Sequence, residues 1–164
     1  QSVSTNMGLA PLLCSFDNAG DLPLMEPGIT YYHNSKNILF SDGWSHEEES
    51  HRWTDGVRSS MLIKINKSKL CAPLINISGS VLGMQNIEVL VDGSSVFLGD
   101  LSGDVTLTMR GKSNTDIGSN IVNIELVLPG AHAPGNGDTR KLGFALRSFK
   151  FECAQPSKDT DLNH

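Results

Sequence analysis

The chain has 164 residues, 38% of them hydrophobic, which suits one domain with a single substantial core. Its 18 acidic residues outnumber 13 scattered Lys and Arg, giving a net charge of −5 and excluding a nucleic-acid surface or a polybasic membrane anchor. No apolar run approaches the roughly 18 residues needed to span a bilayer, so no membrane insertion is expected in this segment.

Residues 1–28 carry Pro11, Pro23 and Pro27 and only one short apolar patch at 9–13. They read as an irregular lead-in lying across the domain. The chain opens on Gln1 rather than Met, as a processed product or an excised piece would, which leaves an upstream signal or membrane segment open.

From residue 29 to 153 the pattern is strand and turn, with candidate strands at 29–33, 37–40, 59–65, 74–82, 86–91, 95–101, 104–109, 121–128 and 143–152. Asp92-Gly93 between two apolar runs predicts a two-residue type I′ hairpin, which needs positive φ at both residues. In 121–128, Val122, Ile124, Leu126 and Leu128 share one face, with Asn123 and Glu125 opposite. Phe144 and Leu146 have one parity but Phe149 and Phe151 the other, so either both faces are buried or a bulge near Arg147 switches the phase.

Gly130 to Gly137 has the composition of a long mobile loop, without the Lys-Ser/Thr of a phosphate-binding loop. The polar residues 154–164 read as a disordered tail. No window of the core holds a sustained 3.6-residue apolar period. The expectation is an all-β domain: an antiparallel β-sandwich of jelly-roll type with about 8–9 strands.

Cys14, Cys71 and Cys153 lack metal-type spacing. One disulfide with a free thiol in an oxidising compartment and three buried thiols in the cytosol both fit.

The densest chemistry lies between Gly43 and Gly56, which hold both tryptophans, three consecutive glutamates, two histidines and Arg52. Aromatic planes beside many donors and acceptors suit sugars, whose apolar faces stack and whose hydroxyls need partners. The run from Gly43 to Gly56, followed by Gly137 to Phe151, resembles a β-sandwich accessory domain. Such carbohydrate-binding domains belong to bacterial surface-polysaccharide glycosyltransferases and phosphoglycerol transferases. The matching positions are Gly43, Trp44, Ser45, Glu48, Trp53, Thr54, Asp55 and Gly56, then Asp138, Arg140, Leu142 and Gly143, within roughly 29–153. Glu47 departs from the family pattern, which often has Pro there. The resemblance implies glycan recognition without chemistry of its own, beside a linked catalytic domain, in the bacterial cell envelope or periplasm, with the cytoplasm left open. Fold-level analogy names no ligand.

On this reading Trp44, Glu48, His51, Arg52, Trp53, Asp138 and Arg140 are the carbohydrate-binding candidates, with no cofactor. Trp44 or Trp53 stacks on a sugar face, or caps the core. Glu48 and Arg140 are expected to form an ion pair, either purely structural or leaving Arg140 donors free for an acidic sugar. His46, Glu47, Glu49 and His51 read better as a solvated acidic loop than as a metal cluster. Two other functions remain. One is a small jelly-roll hydrolase or lyase with Glu48 and Asp138 as acid and base. The other is a structural oligomerisation domain using an exposed edge strand.

Overall fold

The computed structural model describes residues 21–67, 72–111 and 118–154. Cys14, Cys71 and the tail from residue 155 lie outside them. Among the described residues there are nine strands and no helix. They are β1 (Thr30–Tyr32), β2 (Ile38–Asp42), β3 (Trp44–Glu47), β4 (Arg52–Asp55), β5 (Arg58–Lys67), β6 (Ala72–Val91), β7 (Ser94–Arg110), β8 (Gly118–Val127) and β9 (Leu142–Ala154).

All pairings between strands are antiparallel, in the order β2-β5-β8-β6-β9-β4-β3, with β1 also on β9 and β7 also on β6. The ladder folds over at β6, whose residues 72–81 pair β9 while 88–91 pair β8. One layer holds β3, β4, β1 and β9, the other β2, β5 and β8. The β6–β7 hairpin belongs to both. Met61, Ile63, Ile77, Val89, Ile124, Phe144 and Phe149 are among the apolar side chains sealed between the layers. The fold is the expected antiparallel sandwich of jelly-roll type.

Strands β6 and β7 each run unbroken where the pattern predicts two strands apiece. Between Val81 and Met84 the register shifts, and Leu82 and Gly83 are extra residues opposite the Gly103–Ser102 step. Gly83 and Gly103, at φ +64 and +70, let both strands bend without ending the ladder. An insertion of two leaves the pleat in phase, so Ile75, Ile77 and Val81 face the same core as Ile87, Val89 and Val91. Asp92 (φ 50) and Gly93 (φ 84) make the expected two-residue turn.

In β9, Ser148 pairs Ser78 and Leu146 pairs Gly79, so Arg147 is the bulged residue. The phase switch resolves the parity conflict: Phe144, Leu146, Phe149 and Phe151 are all buried. Residues 21–28 are laid onto the sandwich, where Met25 is 2% exposed and its N–H donates to Lys64 O at 2.8 Å. The loop from Gly130 to Gly137 is held more firmly than its composition predicts. His132 and Leu142 exchange two backbone hydrogen bonds (3.0 and 2.9 Å), and Ala131 packs on the core.

Residues 44–55, read from the sequence as a loop, are a hairpin. The chain crosses from β2 in one layer to β3 in the other at Gly43, and back from β4 to β5 at Gly56, with φ of +80 and +121. A side chain at Gly43 would run into the backbone oxygen of Arg58 and lie 2.9 Å from Ser59 Cα. Gly43→Ala is therefore expected to cost about 1–3 kcal/mol in denaturant unfolding. Gly135→Ala, at φ +92 with open space around it, should cost clearly less. Equal losses would remove close approach as the reason for Gly43.

Candidate functional site

The β3–β4 hairpin and the segment before β9 meet around one guanidinium. Arg140 Nη1 donates to Ser45 Oγ (2.6 Å) and to Glu48 Oε2 (3.2 Å). Its Nε reaches both oxygens of Asp138 (3.0 and 3.1 Å), and Nη2 reaches Asp138 Oδ2 at 2.6 Å. The expected Glu48–Arg140 pair thus forms, and Asp138 completes it. Hydrogen bonds from Arg140 hold the Asp138 carboxyl down at a pKa of about 2, and the same bonds raise the Arg140 pKa. Most Arg140 donors are thereby engaged within the protein rather than left for a sugar.

Neighbouring motif residues complete a clasp. Phe144 N–H donates to Thr54 Oγ1 (3.0 Å), and Lys141 N–H donates to Asp55 Oδ1 (2.9 Å). Ser59 Oγ donates to Gly43 O at 2.6 Å. Side chains here supply bonds that the ladder cannot make where the chain turns between layers.

Arg52 is also drawn inward. It donates to Ser45 O (3.1 Å), His33 O (3.4 Å) and Glu47 Oε1 (3.2 Å), and its guanidinium lies 4.1 Å from the Phe40 ring centroid. Burial lowers its pKa and Glu47 opposes that shift. Trp44 packs on the core, meets Phe40 edge-on at 4.9 Å and donates its indole N–H to Ser60 O at 2.8 Å. Of the two interpretations of Trp44, capping the core is the one these contacts describe.

Trp53 is placed differently. It pairs with Ala145 of β9, and His51 meets it edge-on at 5.7 Å. Both line a hollow of about 250 Å³ with Ser50, Ser80, Ala145 and Arg147. A second hollow of about 500 Å³ shares Ser50 and Arg147 and adds Tyr32, His33, Asn34 and Glu49. His51 Nε2 lies 3.4 Å from Glu48 Oε1, so the Arg140 clasp reaches the hollow through His51. His33 Nε2 donates to Glu48 O at 2.8 Å and fixes the same turn.

The structure therefore divides the candidates. Trp53 and His51 line the hollows, whereas Glu48, Asp138, Arg140, Arg52 and Trp44 line neither and are engaged with other protein groups. Sequence reasoning missed Tyr32 and Arg147 as surface residues. The parity break in β9 marks Arg147 as bulged, and a bulged side chain is re-aimed out of the pleat. That signal was present. Among the described residues no three His, Cys, Asp or Glu side chains gather as a metal site.

The clasp yields two expectations. Glu48 and Arg140 are 32% and 27% exposed, so a cycle of Glu48→Gln and Arg140→Met should give a coupling of about 0.2–1 kcal/mol in unfolding free energy. The roughly 3–5 kcal/mol of a fully buried pair is not expected. No coupling would mean the contact holds nothing. Because the folded pKa of Asp138 lies below its ordinary 3.8, its stabilisation is full above about pH 4 and fades as pH falls toward 2. The stability gap between wild type and Asp138→Asn should close over that window in pH-dependent denaturation. A gap constant down to pH 2 would contradict it.

No family model matches the sequence, and no curated protein matches it. Among solved structures, the chain is similar to a CBM35 from Paenibacillus barcinonensis, at 12% identity and TM-score 0.48, over 77% of this chain and 100% of that one. It is also similar to a carbohydrate-binding module CBM36 in complex with calcium and xylotriose, at 11% identity and TM-score 0.44, over 76% and 99% of the two chains. A third is the GH26-CBM35 β-(1,4)-mannanase of Podospora anserina, at 12% identity and TM-score 0.48, over 78% of this chain and 28% of that one. At such identities the likeness concerns the course of the strands and says nothing of a ligand.

Proposed function

We propose that this domain is a non-catalytic carbohydrate-binding module for a bacterial surface glycan, acting beside or within an enzyme that builds or modifies it. The observation that carries this reading is the pair of adjoining hollows holding Trp53, His51 and Tyr32 around Arg147 and Ser50. An indole contributes on the order of 1 kcal/mol against a sugar face beyond the area it buries. Hydroxyl, imidazole and guanidinium groups beside it supply both donors and acceptors for a sugar's rim. Shallow, solvated sites of this kind give roughly millimolar to micromolar affinity. Arg140, Glu48 and Asp138 act as positioning residues that hold the His51–Trp53 edge in place.

Cys153 is disulfide-bonded, which fits an oxidising compartment such as the periplasm or cell surface. The hydrolase alternative has less support. Glu48 and Asp138 do not face each other across open space, because both are bound to Arg140. As the base of that pair Asp138 would be weak, because Arg140 holds its pKa down at about 2.

Glycan-array and affinity-gel retention of wild type, Trp53→Ala and Trp44→Phe test the proposal. Trp53→Ala should weaken retention about tenfold in a variant that thermal melts show to be folded. Trp44→Phe should retain glycan yet lose about 1 kcal/mol of stability, since the Ser60 carbonyl loses one of two side-chain donors and keeps Ser41 Oγ. Retention unaffected by Trp53→Ala, or no glycan held by wild type, would overturn the assignment.

A further inference from the structure

A third hollow, of about 210 Å³, lies on the outer face of the same layer and is lined by Thr30, Asn76, Ser78, Thr106, Ser148 and Lys150. Its position follows from the pleat. Ser78 is two residues from Ser80 in β6, and Thr30 two residues from Tyr32 in β1, so each pair points to one face. Ser80 and Tyr32 line the first and second hollows, and Ser148 follows Arg147, which lines both. Asn76, Ser78 and Ser80 alternate with Ile75, Ile77 and Gly79, which are buried on the opposite side. From Ser80 to Asn76 this face extends a further roughly 13 Å, at the usual strand rise.

The chemistry of the face is neutral and rich in hydroxyls. Ser78 Oγ and Thr106 Oγ1 lie 3.0 Å apart, and Thr108 Oγ1 donates to Asn76 Oδ1 at 2.6 Å. Each hydroxyl in these pairs keeps further donor or acceptor capacity. The cations are matched by acids: Arg147 Nη2 lies 2.9 Å from Asp104 Oδ1, and Lys150 Nζ 3.5 Å from Glu152 Oε2. Glu49 adds a negative charge to the second hollow. Such a face presents no net positive field for uronic acids, phosphates or nucleic acid.

We propose that the three hollows form one row of subsites taking a run of several uncharged sugar units, a reading that rests on the glycan-binding role above. Trp53 and Tyr32 hold one end of the run by stacking, and the Asn76–Ser78–Thr106 surface hydrogen-bonds the units that follow. The ligand class is thereby narrowed from glycans in general to neutral polysaccharide chains.

Titration calorimetry with gluco-, xylo- and manno-oligosaccharide ladders, from disaccharide to hexasaccharide, tests this beside oligogalacturonates of equal length. On a retained ladder, affinity should rise about tenfold or more from disaccharide to hexasaccharide. Ser78→Gln, whose longer side chain fills the third hollow, should remove most of that gain and leave disaccharide affinity within about twofold. Lys150→Gln, at the far end of the row, should do the same, and thermal melts establish that both variants fold. Affinity flat with chain length, or hexasaccharide binding untouched in both variants, overturns the row while the Trp53 site stands. Tighter binding of oligogalacturonate than of its neutral counterparts overturns the choice of an uncharged chain. Retention of none of these ladders by wild type, with other glycans held on the array, overturns the row alone; retention of nothing at all overturns the binding role too.

Discussion

The structure depends on one constraint: the chain must pass between the two layers at Gly43 and return at Gly56 within a single short hairpin. Neither crossing is compatible with an uninterrupted ladder, so backbone groups there need partners from elsewhere. Thr54, Asp55 and Ser59 supply them from the hairpin and its neighbour, and Arg140 ties the hairpin to the segment that opens β9. β4 also pairs β9, and these bonds fasten the ends of the hairpin where that pairing shifts register between Trp53 and Asp55. With them, Trp53 and His51 are held over β9 beside Arg147.

This arrangement largely separates the positions that carry the family resemblance from those that line the hollows. Gly43, Ser45, Thr54, Asp55, Asp138 and Arg140 make the clasp, while Tyr32, Ser80 and Arg147 are not matching positions; Trp53 alone among the matching positions lines a hollow. A motif of this kind preserves a frame. The surface built on the frame can change its ligand without disturbing the motif, which is why such a resemblance implies a fold more firmly than a substrate.

Much of the frame was legible because it rests on local rules. Positive φ at Asp92 and Gly93 follows from their residue types, the alternation in β8 from one buried face, and the bulge at Arg147 from the parity of the flanking phenylalanines. The β3–β4 hairpin was not legible. Its residues are charged or polar on both faces, because what stabilises it is tertiary: Arg52 over Phe40, Arg140 on Ser45, Trp44 against the core. The roles of the two tryptophans were equally hidden. They depend on register, Trp53 opposite Ala145 and Trp44 opposite Thr54, and a slip of one residue would exchange inside for outside. The long strands β6 and β7 escaped division because paired glycines bend both together, which composition alone does not distinguish from two turns.

That shared hairpin has a mechanical consequence. Because β6 and β7 run through both layers, the sandwich has no seam along which its halves can be peeled apart. A load pulling the two layers apart would have to rupture the β6–β7 pairing rather than open a joint.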